Sequence, residues 1–254
     1  MNIPMLIISI LFGWICGLLV NYLADVLPST RKFSRPVCPK CRAPYTWADY
    51  LLLRKCDSCG TRRRARVWGV QILLTLASAL IWAFPRPILP YGLGMTLLTF
   101  FSLVAVIDLE HRVVLHPVSL FGALLGLGVG IYLRSGNSIA AGILSTLIGG
   151  AAGFGIMLIL YYLGVFYVRR MAKKRGLPPD EVALGYGDVN LAGILGLMLG
   201  WPAISVCLFF AVLGGGVISL LIILGMLAVK KYQAFTAIPY APFLLLAALY
   251  LLFS

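Results

Sequence analysis

The sequence predicts an all-α membrane protein that crosses the bilayer about eight times and has one small polar domain between its first two helices. Of its 254 residues, 61% are apolar and only 11% are charged, whereas a soluble domain has about 25% charged residues. Apolar runs near the length of about 20 residues that spans a bilayer recur along the whole chain. A soluble globular protein is therefore excluded, and the net charge of +13 is interpreted as membrane topology rather than nucleic-acid binding.

The apolar runs predict eight helical segments. The sixth has only 11 residues, or about 17 Å of helix, and cannot cross a hydrocarbon core of about 30 Å by itself. Either the residues before this segment lie partly within the bilayer, or protein and water fill the part of the bilayer thickness that the short helix does not cross. Glycines in the fifth and seventh segments predict close helix packing. The segments are Pro4–Tyr22, Val67–Phe84, Pro90–Ile107, Pro117–Leu133, Ile139–Val168, Val189–Leu199, Ala203–Val229 and Ile238–Phe253.

Basic residues predict the orientation. No Lys or Arg precedes the first apolar run, so it lacks the basic start of a cleavable signal peptide and is expected to remain as a helix with its N-terminus outside. If the segments alternate, 19 of the 21 Lys and Arg fall in cytoplasmic intervals, and only Arg86 and Arg134 do not. The expected domains are a first transmembrane helix (1–22), a cytoplasmic domain (23–67) and a transmembrane core (68–254).

Four cysteines in the polar domain form two CxxC pairs that are separated by fourteen residues: Cys38, Cys41, Cys56 and Cys59. Each CxxC turn points two thiolates at one metal, so this spacing is typical of a structural zinc site. Two disulfides are the alternative, which the reducing cytoplasm disfavours. A domain of about 45 residues is too small for a sufficient core, so metal binding is expected to supply much of its folding free energy. Its basic residues are expected to hold it against anionic membrane lipid.

Two aspartates are candidate catalytic residues. Asp108 directly follows an apolar run, and Asp188 precedes the short sixth segment. An ionisable residue at membrane depth is costly and suggests a function, although Asp108 could be a surface residue at a helix end and Asp188 an N-cap. Two neighbouring carboxyls share a proton, so one can act as general base toward water and the other as general acid toward the scissile amide. Such a pair hydrolyses peptides without a metal or a nucleophilic side chain.

Gly185, Tyr186 and Gly187 come immediately before Asp188. Glycines allow close backbone approach, which leaves N–H and C=O groups free to pair with an extended substrate. We therefore expect these three residues to position a substrate beside the carboxyls.

These motifs together resemble the type IV prepilin peptidase family, and the resemblance covers nearly the whole chain. Gly185 to Asp188 form a GxGD motif, and Asp108 with the residues around it is similar to the family's first-aspartate segment. The two CxxC pairs fall where the family has them. The segment from Gly17 to Asn21, followed by Leu27-Pro28, resembles the GSFLNV...RLP opening, and Arg66 to Gln71 resembles the RYPxVE segment.

The resemblance implies an enzyme that removes the short basic leader from prepilins or pseudopilins. Cleavage is expected after a glycine at the cytoplasmic face of the bacterial inner membrane, with Asp108 and Asp188 as the catalytic pair. Bifunctional members also methylate the new N-terminus with S-adenosylmethionine.

The chain departs from the family pattern at several positions. Leu115 and His116 replace the usual Pro and Asp or Asn, Val26 replaces an Arg, and the linker between the CxxC pairs is short. Gln71 replaces a glutamate that could interact with the cationic methyl donor, although Asp49 and Asp57 could supply charge instead. The sequence leaves open whether methylation is retained, and recovery of the methyl group in Gln71→Glu would locate the defect.

Other functions remain as alternatives. An ion-coupled transporter would use the same aspartates as a relay and the short segment as a broken helix, but the sequence has no repeated halves. A scaffold that presents the cysteine domain leaves the GxGD motif unexplained. His111 and His116 suggest a metalloprotease only weakly, because there is no HExxH helix.

Overall fold

The computed structural model describes residues 3–85, 87, 89–136, 138–175, 185–228 and 240–253. These residues are helical apart from loops, the longest being residues 31–46 and 52–64 on either side of a five-residue helix, and one isolated antiparallel bridge between Val37 and Pro44. The described residues form no other β-structure, which confirms the all-α class. The helices are α1 (Ile3–Thr30), α2 (Trp47–Leu51), α3 (Ala65–Ala83), α4 (Tyr91–His111), α5 (His116–Arg134), α6 (Ile139–Arg175), α7 (Tyr186–Leu199), α8 (Ala203–Ala228) and α9 (Ala241–Phe253).

Six of the described helices are long and apolar enough to cross a membrane: α1, α3, α4, α5, α6 and α8. The helices α7 and α9 are apolar but shorter. The 14 residues of α7 rise about 21 Å, which is less than the hydrocarbon thickness of about 30 Å. The eight predicted segments therefore correspond to these eight helices, and the short sixth segment is indeed a short helix.

Three helices continue several residues past their predicted ends, and one of them is α4, which runs from the predicted end at Ile107 on to His111 and so includes Asp108. Helix α1 was expected to end at Tyr22 but extends to Thr30, because Ala24, Val26 and Leu27 are buried. Burial of these side chains stabilises the helical conformation beyond the end of the apolar run.

The third extended helix is α6, which was expected to end at Val168 but continues to Arg175. Arginine and lysine are good helix formers, so the charges that mark the membrane boundary do not mark the end of the helix. The predicted start of the last helix, Ile238, lies outside the described residues.

The chain divides into two compact units, Met1–Ile107 and Asp108–Ser254. In the first unit, α1 packs closely on α3 because two positions in α1 have no side chain. A Cβ atom at Gly13 would lie 2.7 Å from the Leu74 carbonyl O, and one at Gly17 would lie 2.7 Å from Gln71 Oε1. A side chain at position 13 would therefore clash with the backbone of α3, and one at position 17 would displace the Gln71 side chain.

In the second unit, α7 is the central helix and packs against α5, α6, α8 and α9. Leu191, Ala192 and Leu195 of α7 are fully buried. The closest neighbour is α6, where a Cβ atom at Gly149 or Gly153 would clash with the backbone of α7. The predicted role of glycine in helix packing is confirmed at these two positions.

An arginine from α5 stabilises the C-terminal end of α7. Arg134 donates hydrogen bonds from Nη2 and Nη1 to the Met198 carbonyl O at 3.1 and 3.2 Å. Gly200 has a φ of 68°, and the Arg134 guanidinium occupies the space that a Cβ atom there would fill. A cation bonded to the last carbonyls satisfies groups that the helix leaves free and interacts favourably with its dipole.

Candidate active site

Asp108 lies in the last turn of α4, where the helix leaves its apolar run. Its side chain is buried, with 6% of the residue exposed. Carboxylate atom Oδ2 is fully buried and has no hydrogen-bond partner among the described residues. The backbone turns directly afterwards, since Arg112 donates its N–H to the Asp108 carbonyl O at 2.8 Å with a φ of 53°. Asp108 is therefore a buried carboxyl and not a surface residue at a helix end.

Asp188 lies in the first turn of α7 and is also buried, at 7% exposure. Gly185 is the N-cap of α7, so the alternative in which Asp188 itself is the N-cap is wrong. The Asp188 side chain instead reaches back, and Oδ2 accepts a hydrogen bond from the Gly185 N–H at 3.2 Å. This bond fixes the orientation of the carboxyl at the N-terminal end of the helix.

The fold brings these two aspartates together within the second unit. The Asp108 and Asp188 carboxyls are close enough to repel each other when both are ionised. Two neighbouring carboxyls in a buried site share a proton. The arrangement can therefore provide a general acid and a general base at one place.

The GxG segment is extended at Gly185, which is the N-cap of α7, and helical from Tyr186 onward. Tyr186 and Gly187 form the first turn of α7, where N–H groups have no partner within the helix. A Cβ atom at Gly187 would lie 2.9 Å from Val114 Cγ2, so the glycine allows the loop after α4 to contact α7. The ring of Tyr186 is 52% exposed.

Aromatic residues indicate the depth of the site in the membrane. The ring of Tyr186 packs edge-on against Tyr161 of α6, with centroids 5.9 Å apart. Tyr162 and Tyr167 follow on α6, and both are exposed, before the basic residues at the end of that helix. Tyrosines concentrate at the boundary between the hydrocarbon core and the headgroups. This distribution of tyrosines predicts that the first turn of α7, with Asp188, lies at the depth of a membrane interface.

Tyr240 is a further polar residue near Asp188, and no sequence motif marks it. It precedes α9, and its buried hydroxyl has no hydrogen-bond partner among the residues that the structure describes. The hydroxyl interacts electrostatically with Asp188, and its ring is held against Phe243, with centroids 6.3 Å apart. In the sequence, Tyr240 follows Pro239 and directly precedes the last apolar run. A tyrosine at such a position usually has a role for its hydroxyl, and this pattern could have identified the residue.

The four cysteines of the polar domain converge on one point. Their sulfur atoms all lie within 4.8 Å of one another, and the structure contains them as free thiols. Distances of 3.7 Å from Cys38 to Cys59 and 3.6 Å from Cys41 to Cys56 are close to the separation of about 3.8 Å in a tetrahedral zinc site with Zn–S bonds of about 2.3 Å. They are far longer than a disulfide bond of about 2.05 Å. The cluster could hold a metal ion.

Each CxxC turn closes in the same way. Arg42 donates its N–H to the Cys38 carbonyl O at 2.9 Å, and Gly60 donates to the Cys56 carbonyl O at 2.7 Å. Both Arg42 and Gly60 have a positive φ, of 58° and 66°. Burial acts to raise the pKa of Cys38, but hydrogen bonds from the backbone of Cys41 and Lys40 outweigh it and lower that pKa to about 6. These backbone N–H groups favour the thiolate form of Cys38.

Asp25 joins the cysteine domain to the end of α1. It forms an ion pair with Arg66 and accepts a hydrogen bond from the Tyr50 hydroxyl at 2.6 Å. Burial, followed by the Asp25 charge, raises the pKa of Tyr50 above its usual range, so the phenol keeps the proton that it donates. The Arg63 guanidinium stacks 3.9 Å from the Tyr45 ring centre and 4.4 Å from that of Tyr50.

Two buried aspartates in a multi-pass helical membrane protein are compatible with the class of intramembrane aspartic peptidases. Comparison with known proteins agrees with this class. Residues 95–220 match the model of the type IV leader peptidase family, and this chain belongs to that family. It is a multi-pass protein of the bacterial inner membrane. No solved structure gives a significant match.

Several curated relatives are named prepilin leader peptidase/N-methyltransferase. One from Aeromonas salmonicida is 27% identical over 225 residues, which cover 84% of this chain and 69% of that protein. One from Legionella pneumophila is 28% identical over 86% of this chain and 72% of its own length. One from Myxococcus xanthus is 26% identical over 84% of this chain and 61% of its own length. None of these matches supports a transporter.

Proposed function

We propose that this protein is a membrane aspartic endopeptidase that removes the leader from type IV prepilins or pseudopilins. The observation that carries the proposal is the pairing of two buried carboxyls, Asp108 and Asp188, in a chain of the type IV leader peptidase family. The names of the relatives supply the substrate class.

In the proposed reaction the dyad holds one proton. The ionised carboxyl removes a proton from a water molecule, which attacks the carbonyl carbon of the scissile amide. The protonated carboxyl then donates its proton to the departing amine nitrogen. Asp108 and Asp188 have these two roles between them, and the Gly185 N–H keeps Asp188 in place.

Gly185, Tyr186 and Gly187 position the substrate in this proposal. The free N–H groups at the start of α7 can pair with carbonyl groups of an extended peptide. The Tyr240 hydroxyl, which has no partner in the described structure, is available to donate a hydrogen bond to Asp188 or to the substrate carbonyl.

The active site faces the cytoplasm, and the N-terminus lies outside. This orientation follows from the bias of Lys and Arg, of which 19 of 21 fall on one side. It suits a substrate whose leader is still cytoplasmic while its apolar helix lies in the bilayer.

We further propose that Cys38, Cys41, Cys56 and Cys59 bind one zinc ion with a structural role. Four thiolates leave no open coordination position, as is typical of structural zinc sites. The metal would supply folding free energy to a domain with a core of only a few residues, among them Tyr45 and Tyr50. The basic residues of this domain contact anionic lipid.

The relatives' names also raise N-methylation of the mature N-terminus with S-adenosylmethionine as a second activity.

Leader cleavage is tested by incubating the detergent-solubilised protein with a purified full-length prepilin. We expect one shortened product, and N-terminal sequencing should place the cut directly after the basic leader. An intact prepilin, or a cut elsewhere, would contradict the proposal.

A further inference from the structure

A cleft of about 820 Å³ lies in the second unit, lined by α5, α6 and α7. Its lining changes character along its length. The polar residues that line the cleft lie in the first two turns of α5 and α7: His116, Ser119 and Asn190. Farther along these helices the lining is apolar and includes Ala123 of α5 and Leu197 of α7. The cleft is therefore polar near the membrane interface and apolar deeper in the bilayer.

One polar group in the cleft has no partner. Ser119 Oγ is fully buried and makes no hydrogen bond with any described residue. A buried hydroxyl without a partner is unfavourable. Because Ser119 lines the cleft, rotation of its side chain can present the hydroxyl to an occupant that has a hydrogen-bonding group near the interface and an apolar body below it.

The cleft and the carboxyls share the N-terminal end of α7. Asn190 follows Asp188 by two residues, which places it about 200° around the helix and thus on the opposite face. A bound peptide that extends out of the cleft can reach Asp188 only by crossing the start of α7. That crossing point consists of Gly185, Tyr186 and Gly187, where two of the three residues have no side chain to obstruct a peptide.

We propose that this cleft binds the apolar helix that follows the scissile bond of the substrate. The inference rests on the proposed peptidase function. The substrate helix lies along α5 and α7 in the bilayer and unwinds at the interface, and its extended end crosses Gly185 and Gly187 to reach the dyad. Ser119 and Asn190 hydrogen-bond to backbone groups that are freed where the substrate helix unwinds.

Bulky substitutions in the cleft test the proposal. Ala123→Trp fills the cleft, whereas Leu124→Trp adds the same side chain to the next residue, which is 63% exposed and does not line it. A substitution that weakens binding of the substrate and of the transition state equally raises KM and leaves kcat unchanged. Ala123→Trp should therefore raise KM for a full-length prepilin at least about tenfold, with little change in kcat. Leu124→Trp should match the wild type, and thermal unfolding should be similar for all three proteins.

Photo-cross-linking identifies the occupant directly. Benzoylphenylalanine is placed at Leu120, which lines the cleft, or at Phe121, which does not; these residues are 66% and 53% exposed. In an Asp188→Asn background that holds the substrate uncleaved, position 120 should cross-link to the prepilin's apolar segment and position 121 should not.

Two results would overturn the cleft as the substrate site while leaving the peptidase assignment intact. One is a cross-link from position 120 to phospholipid only, and the other is an unchanged KM in Ala123→Trp. Failure of the wild-type protein to cleave the prepilin at all would overturn the proposed function, and the cleft proposal with it.

Discussion

Gln71 of α3 donates a hydrogen bond from Nε2 to the Trp14 carbonyl O of α1 at 2.6 Å. The glutamine is fully buried, and its Oε1 lies 3.4 Å from the donor Nδ2 of Asn21. This is the position at which the family resemblance has a glutamate. In this chain the side chain joins two transmembrane helices, so we infer that it is a packing residue and not a group that acts on a methyl donor.

Replacing Gln71 should therefore affect stability more than activity. Gln71→Leu removes the hydrogen bond to the Trp14 carbonyl O and the longer one from Asn21 Nδ2, which keeps its bond to the Val67 carbonyl O. Each lost hydrogen bond costs about 0.5–1.5 kcal/mol. Thermal unfolding of the purified protein should shift downward accordingly, while kcat for prepilin cleavage at low temperature should stay near the wild-type value.

The variant Gln71→Glu separates the two roles of this position. Mass spectrometry of the mature pilin, with S-adenosylmethionine present, should find the same methylated fraction as for the wild type. A gain of the methyl group in Gln71→Glu would contradict the packing role and show that residue 71 acts in methyl transfer.

Gly187→Ala should lower the rate of cleavage. The added Cβ atom would lie 2.9 Å from Val114 Cγ2 and 3.1 Å from Val114 Cβ, so the loop after α4 would have to move away from the first turn of α7. Val114→Ala in the same protein should restore part of kcat/KM because it removes the nearest atom. Gly155→Ala is the control, since no atom lies within 4 Å of a Cβ at that position of α6.

Elemental analysis should find about one zinc per chain, because four thiolates in a domain with little core bind metal tightly. Cys56→Ser should lose the metal and expose the domain to proteolysis. Cys207→Ala should keep the full metal content, since Cys207 lies in α8 and outside the cluster. A metal-free protein with all four cysteines of the cluster oxidised would restore the disulfide alternative.

Tyr240→Phe keeps the ring against Phe243 and removes only the hydroxyl beside Asp188. In the proposed reaction this hydroxyl donates a hydrogen bond to Asp188 or to the substrate carbonyl. Such a bond to a charged group contributes about 1.5–3 kcal/mol, so kcat should fall about tenfold to a hundredfold. Tyr250→Phe is the control, because Tyr250 also lies in α9 and is 65% exposed. This substitution should leave kcat unchanged. Equal kcat values for the wild type and Tyr240→Phe would exclude a role for the hydroxyl.

The sequence predicts the order of the helices and the chemical groups of the site because those signals are local. Apolar runs give the helices, two CxxC pairs give the cysteine cluster, and Asp108 and Asp188 are conspicuous as acids beside apolar runs. Helix ends are less predictable, because α1 and α6 continue for reasons of burial and helix propensity that hydropathy does not record.

Contacts between distant parts of the chain could not be predicted. Arg134 was expected only as a charge on the outer side, yet it holds the C-terminal end of α7 through Met198. Tyr240 comes close to Asp188 only because α9 packs on α7. The predicted interface depth of the site likewise depends on the contact between Tyr161 and Tyr186, which no sequence pattern encodes.

The central claim is that Asp108 and Asp188 act as one catalytic pair. The most direct test is the rate of prepilin cleavage, with N-terminal sequencing of the product, for Asp108→Asn, Asp188→Asn and the double variant, each inserted in the membrane at wild-type levels. Glu110→Gln is the matched control, since this exposed residue also lies at the end of α4. We predict that each single variant loses cleavage completely and that the double variant is no worse than either one, as for residues that act as a unit, while Glu110→Gln remains active. Cleavage at the wild-type rate by either single variant would contradict the account.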